Sequence, residues 1–204
     1  MDILGIDEAG RGSVLGPMVI AGVIVPEKME KVLERMGVKD SKRLAPHRRT
    51  ILSRKLKKMF EYEVVVISAR EIDEMRADGI NLNEIEKNAM ESILIKMNPE
   101  KAIVDAVDVK AERFQENLRK DTGVNVIAEH KADDKYIEVS AASIIAKAER
   151  DKQIEEINKD FIKSGGIGSG YPSDPKTKEF LTHYTYDEMP DFVRRSWATV
   201  AKLK

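Results

Sequence analysis

The chain has 204 residues, of which 42% are hydrophobic, with 35 Lys and Arg against 36 Asp and Glu. That length accommodates one fair-sized domain, or a main domain with a small appendage, and it suffices to bury a core. There is no cysteine, which excludes disulfides and thiolate metal sites and leaves oxygen or histidine to hold any metal; with no basic start followed by a long apolar run, the expectation is a mature, soluble, cytoplasmic protein with no membrane partner.

Residues 3–7 and 18–25 read as strands with continuous apolar character, which implies burial on both faces, and they are expected to form an antiparallel hairpin. The end of the first strand runs directly into a glycine-flanked arginine in Gly5-Ile6-Asp7-Glu8-Ala9-Gly10-Arg11-Gly12. Asp7 and Glu8 offer hard anionic oxygens of the kind Mg²⁺ and Mn²⁺ prefer. Gly10 and Gly12 permit a sharp bend and close approach of backbone N–H groups to a sugar or phosphate, and Arg11 adds a planar fork of donors. The same pair of acids also fits a solvated turn.

Although the net charge is only −1, Lys39 to Lys58 hold nine Lys and Arg against one acid, Asp40. Such a segment can follow a polyanion backbone or simply form a solvated face. From Pro46 to Phe60 the residues Leu52, Leu56, Met59 and Phe60 mark an amphipathic helix. A strand at 62–68, helices at 70–78 and 82–97, and a strand at 102–105 follow, the second helix stopped by Asn98-Pro99. Next come a polar helix near 110–121, a strand at 124–128 and a long helix from about 137 to 162. A glycine-rich break at 164–170 precedes short helices around 176–183 and 193–203, with Trp197, Val193 and Val200 as core residues of the last one. Alternating strands and helices make the fold class α/β.

Asp7 ends the first strand and Asp105 ends another, while Asp133 lies one short turn beyond the strand 124–128. In open α/β sheets ligands bind beyond the carboxyl ends of strands. With Glu8 these make four carboxylates, which would repel one another at one sheet edge unless divalent cations lay between them. Each has a plainer reading, because Asp105 and Asp133 could cap helices. Asp108 and Asp134 lie close by, and spacing alone eliminates neither. His130 fits a packing or hydrogen-bonding residue and stays outside the catalytic set.

Taken in order, these motifs resemble a known family, type 2 ribonuclease H (ribonuclease HII), and its archaeal branch in particular. The matching segments are Gly5 to Gly12, Gly16-Pro17, Val38 to Lys42, Ile80 to Asn83, Val104-Asp105, Ala128 to Asp133, Ala141 to Lys147 and Gly168 to Pro175. The resemblance implies a ribonuclease H-like mixed sheet flanked by helices over residues 1–163. It also implies a small C-terminal helical extension, 164–204, packed on that catalytic domain. It further implies catalysis and metal binding by Asp7, Glu8, Asp105 and Asp133, with Mg²⁺ or Mn²⁺ as cofactor and two ions in the substrate complex.

Gly10, Arg11 and Gly12, helped by Tyr171, would read the 2′-hydroxyl at an RNA-to-DNA junction, the group by which a protein tells the two nucleic acids apart. Lys39 or Lys42 and Ser143 would hold phosphates. The activity implied is endonucleolytic hydrolysis of RNA in RNA/DNA hybrids and cleavage 5′ of single ribonucleotides embedded in duplex DNA. Products would carry 5′-phosphate and 3′-hydroxyl ends, in the service of replication and repair. Archaeal relatives often end in a motif that docks on the sliding clamp. Ala201-Lys202-Leu203-Lys204 shows none, so the clamp stays an open partner, and a monomer is expected. The type 3 branch of the fold, an actin-like nucleotide-binding protein and a non-catalytic hybrid-binding module are the rivals.

Overall fold

The computed structural model describes every residue from Met1 to Lys204. Its sheet has the order β3-β2-β1-β4-β5. The first two strands, β1 (Asp2–Ala9) and β2 (Met18–Pro26), pair antiparallel as the sequence predicts. After a 3₁₀ turn at Glu27–Met29 come α1 (Glu30–Arg35), a 3₁₀ segment at Val38–Arg43, α2 (Pro46–Met59) and β3 (Tyr62–Ile67). The chain continues through α3 (Ala69–Ala77), α4 (Leu82–Met97), β4 (Lys101–Asp105), α5 (Ala111–Thr122) and β5 (Asn125–Glu129). The last elements are α6 (Ala132–Lys135), α7 (Ile137–Asn158), a 3₁₀ segment at Lys159–Ser164, α8 (Pro175–Thr182), a 3₁₀ turn at Tyr186–Glu188 and α9 (Ala198–Ala201).

Packing divides the chain into two compact units assembled from discontinuous stretches. The first comprises Met1–Ala9, Val19–Val65 and Asn83–Ala148, and the second comprises Gly10–Met18, Val66–Leu82 and Glu149–Lys204. The sequence reading instead cuts the chain once, between 163 and 164; both divisions keep 164–204 together.

In the first unit, β4 runs parallel to both β1 and β5. Val19, Ala21, Val23 and Val25 project from one face of β2 into a core shared with Leu33, Leu52, Leu56 and the α7 residues Ala141, Ala142, Ile144 and Ile145. A side chain at Gly22, on the opposite face, would meet Ile93 and Met97 of α4. Helices on both faces thus explain why β2 lacks the alternation of a half-solvated strand. Gly5 marks the tightest approach, since a Cβ there would lie 2.2 Å from the backbone of Glu138 in α7.

In the second unit, Val14, Leu15, Ile167, Phe180, Leu181, Met189, Val193 and Val200 form a core. Phe161 packs edge-on against Phe180 and Phe192, with ring centroids 5.2 and 5.5 Å apart. The helix expected over 193–203 is corrected to the four residues of α9. Val193 forms an antiparallel bridge with Leu15 and Trp197 has extended backbone, so the helix starts only at Ala198; before it, Arg194 N–H donates to Val14 O, and those of Arg195 and Ser196 donate to the Asp73 carboxylate. The helix expected to reach 162 becomes 3₁₀ beyond Asn158 and is stopped by Gly165 in the left-handed region, φ +100°. Elements between 27 and 43, and α6, are too short for any periodicity to reveal them.

Candidate active site

The β1–β4 register pairs Ile6 with Val104, so Asp7 and Asp105 are the next residues along two adjacent parallel strands. Period-two alternation would send Glu8 to the face opposite Asp7. Even so, one carboxylate oxygen from each of Asp7, Glu8 and Asp105 lies within 4.8 Å of the others. Asp7 Oδ1 accepts the Glu8 N–H at 2.8 Å, and Asp105 Oδ1 accepts the Ala132 N–H at 3.2 Å. Asp105 therefore caps a helix, as its plainer reading held, but the helix is α6, entered from the neighbouring strand β5.

Burial is the largest of the forces that hold the Asp7 carboxyl well above its ordinary pKa, followed by the Glu8 charge, a hydrogen bond to Glu8 and the Asp105 charge. For Asp105, burial together with the charges of Glu8 and Asp133 outweighs the N–H groups of Ala132 and Lys131 and raises its pKa from 3.8 to about 6. Glu8 Oε2 is buried without a hydrogen-bond partner. Three converging carboxylates, two of them reluctant to ionise and one with an orphaned oxygen, are what a hard divalent cation would satisfy at once. The residues present fit such an ion.

Asp133 is not part of that tight group. It lies in the first turn of α6 behind the N-cap Lys131, and its Oδ2 sits 3.2 Å from Lys42 Nζ. The same ammonium donates to Asp134 Oδ1 at 2.7 Å. That hydrogen bond is the main reason the Lys42 pKa is raised and the Asp134 pKa lowered. Asp108 is taken up by Arg113 and the Lys110 N–H, and His130 Nε2 contacts Val109 O at 3.1 Å. Both stay outside the group, as expected for His130, whereas spacing alone leaves Asp108 open. Glu129, level with Asp105 in the β4–β5 register, is occupied by Lys135 and Tyr136.

Of the remaining expected contacts, Lys39 is exposed, whereas Ser143 is fully buried with its Oγ lacking a partner. In the second unit Gly10 has φ +82°, in the left-handed region. A Cβ on Gly12 would meet nothing within 4 Å, so the fold itself makes no demand for glycine there. Tyr171 is 39% exposed, with the Arg150 guanidinium 5.5 Å from its ring centroid. Arg150, buried and hydrogen-bonded to Ser13 Oγ at 2.5 Å, escapes the sequence reading because on a long helix it looks like any surface charge.

This arrangement can be set beside known proteins. The family model described as Ribonuclease HII matches residues 4–200. A Ribonuclease HII of Methanobrevibacter smithii is 81% identical over 204 residues, covering 100% of this chain and 99% of the relative. The crystal structure of the ribonuclease H2 from Pyrococcus horikoshii superposes with TM-score 0.89 at 43% identity, covering 100% of this chain and 97% of that one. The structure of the PCNA:RNase HII complex from Archaeoglobus fulgidus gives TM-score 0.88 at 44% identity over 97% of this chain and 95% of that one. With agreement along nearly its whole length in sequence and in fold, the chain belongs to the ribonuclease HII family.

Proposed function

We propose that the protein hydrolyses the RNA strand of RNA/DNA hybrids and cuts 5′ of single ribonucleotides in duplex DNA, leaving 5′-phosphate and 3′-hydroxyl ends. The observation that carries this reading is the convergence of Asp7, Glu8 and Asp105 oxygens within 4.8 Å in a chain of this family. Asp7, Glu8, Asp105 and Asp133 would hold two divalent ions, Mg²⁺ or Mn²⁺, which supply charge neutralisation at the scissile phosphate and a more acidic attacking water. The carboxylates act as ligands, and none needs to be a nucleophile.

Lys42, shared by Asp133 and Asp134, is placed to exchange those acids for a substrate phosphate once a metal neutralises Asp133. Lys39 adds exposed charge, whereas Ser143, fully buried on α7, offers a phosphate no open approach. Gly10, Arg11 and Gly12 read the ribose by backbone N–H groups, with Tyr171 packing on the adjoining sugar. The open space around Gly12 supports this, because a side chain there would obstruct a ligand rather than the fold. The sliding clamp is a partner by analogy with the Archaeoglobus complex, and the cytoplasm is the compartment where such a substrate is found.

The test is a labelled DNA duplex with one ribonucleotide, incubated with Mg²⁺ or Mn²⁺ beside all-DNA and RNA/DNA controls. Cleavage 5′ of the ribonucleotide that vanishes in EDTA supports the whole reading. Cleavage of long hybrids alone removes the junction reading, and no cleavage with either ion removes the catalytic one.

A further inference from the structure

We infer that Arg194 is a positioning residue that sets the ribose-reading loop, turning its N–H groups outward by gripping its carbonyls from behind. The inference rests on the proposed reading of Gly10-Arg11-Gly12. Arg194 is fully buried, and its planar guanidinium spreads over three backbone oxygens: Nη2 donates to Gly10 O at 2.6 Å, Nη1 to Arg11 O at 2.9 Å and Nε to Gly16 O at 3.0 Å. The Trp197 ring lies against the same guanidinium, 4.6 Å from ring centroid to Cζ, and its Nε1 donates to Gly12 O at 3.4 Å. Three successive carbonyls, those of Gly10, Arg11 and Gly12, are therefore held by one pair of side chains.

No peptide bond in the chain is cis. In a trans peptide the C=O of one residue and the N–H of the next point in opposite directions. Drawing the Gly10 and Arg11 oxygens onto Arg194 thus aims the N–H groups of Arg11 and Gly12 away from it. A flexible lysine offers three donors on a point charge and cannot reproduce the flat, three-carbonyl grip. The loop needs that grip because Gly10, at φ +82°, and Gly12 are both residues whose backbone gains most freedom when released.

The experiment measures affinity in Ca²⁺, which suppresses turnover, for a DNA duplex with one ribonucleotide and for the same duplex without it. The ratio of the two Kd values reports the reading of the 2′-hydroxyl, and a thermal melt reports folding. Arg194→Lys is expected to lower the ratio by roughly three- to tenfold, the worth of one neutral hydrogen bond, while the affinity for all-DNA duplex and the Mn²⁺ affinity stay within twofold. A lower melting temperature is expected for either role, since three hydrogen bonds of a buried side chain are disturbed; a merely structural role would weaken both duplexes equally and leave the ratio unchanged, which overturns the inference.

Should Arg194→Lys fail to fold, Trp197→Phe keeps the ring and removes the N–H to Gly12 O, with a smaller loss of the ratio in the same direction expected. Gly12→Ala, for which the fold has room, separates the two claims. An unchanged ratio in Gly12→Ala defeats the loop reading itself. A ratio lost in Gly12→Ala but unchanged in the folded Arg194 and Trp197 variants overturns only the grip.

Discussion

Replacing Asp105 by Asn should stabilise the metal-free protein at neutral pH while abolishing its activity. Asn keeps the shape and an oxygen to accept the Ala132 N–H, which Asp105 Oδ1 does at 3.2 Å, but removes one of three clustered charges. Because the folded pKa of Asp105 is raised, from 3.8 to about 6, the native state holds its proton longer than the unfolded chain does. Native stability therefore falls as pH rises through that window and stays low above it. At about 1.4 kcal/mol per unit the full penalty is about 3 kcal/mol, and partial exposure of the group reduces it to about 1–2 kcal/mol.

In EDTA at pH 7.5, Asp105→Asn should then gain about 1–2 kcal/mol in urea unfolding and about 2–8 °C in melting temperature, with the advantage fading toward pH 4. Mg²⁺ at a hundred times its Kd should stabilise wild type by about 2.7 kcal/mol and the variant far less, while cleavage by the variant falls by at least about a hundredfold. A variant no more stable than wild type at pH 7.5 in EDTA would show that the cluster carries no electrostatic strain and would remove the physical argument for a cation there.

Other perturbations test the scaffold around the site. Gly5→Ala places a Cβ 2.2 Å from backbone atoms of Glu138, which cannot rotate aside, so urea unfolding should show a loss of about 3 kcal/mol or more. Lys42→Ala removes the ammonium 3.2 Å from Asp133; the salt dependence of hybrid binding should lose about one unit of slope, with no change in the thermal melt. An unchanged slope would mean Lys42 meets no phosphate. Ser68→Ala breaks the capping box at the start of α3, where Ser68 Oγ accepts the Glu71 N–H and Glu71 returns the bond. Calorimetry should show a cost of about 1 kcal/mol and no change in cleavage.

Much of the first unit is legible in the sequence because its elements are long enough for their apolar patterns to repeat, as in α4 and in β2 with its unbroken run. Asp105 ends β4 as expected, whereas Asp7 lies two residues inside β1, which runs on to Ala9, and it sits level with Asp105 because the β1–β4 pairing stops at Ile6 and Val104. Two other features of the site escape the sequence. Glu8 joins Asp7 only because its longer side chain brings its carboxylate into the group against strand alternation. Asp133 stands apart because Lys42, from a 3₁₀ segment invisible to periodicity, draws it into an ion pair. Arg194 was equally illegible: in a run of charged and aromatic residues it resembles a helix surface, and only the bridge of Val193 to Leu15 and the extended backbone of Trp197 reveal that no helix starts before Ala198.

The cluster also shows how acids nearly a hundred residues apart in the sequence come together. Asp105 repels Asp7 and Glu8 across the β1–β4 register, yet it is bound to the N–H of Ala132, immediately before Asp133. One carboxylate is thus both a member of the cluster and the cap that orients the turn carrying the next acid, with the sheet supplying rigidity through strands that need none of these charges to pair. The backbone N–H groups of Ala132 and Lys131 lower the pKa that burial raises. That balance leaves Asp105 with a pKa of about 6, low enough for it to lose its proton at neutral pH and high enough for a bound cation to gain from neutralising it.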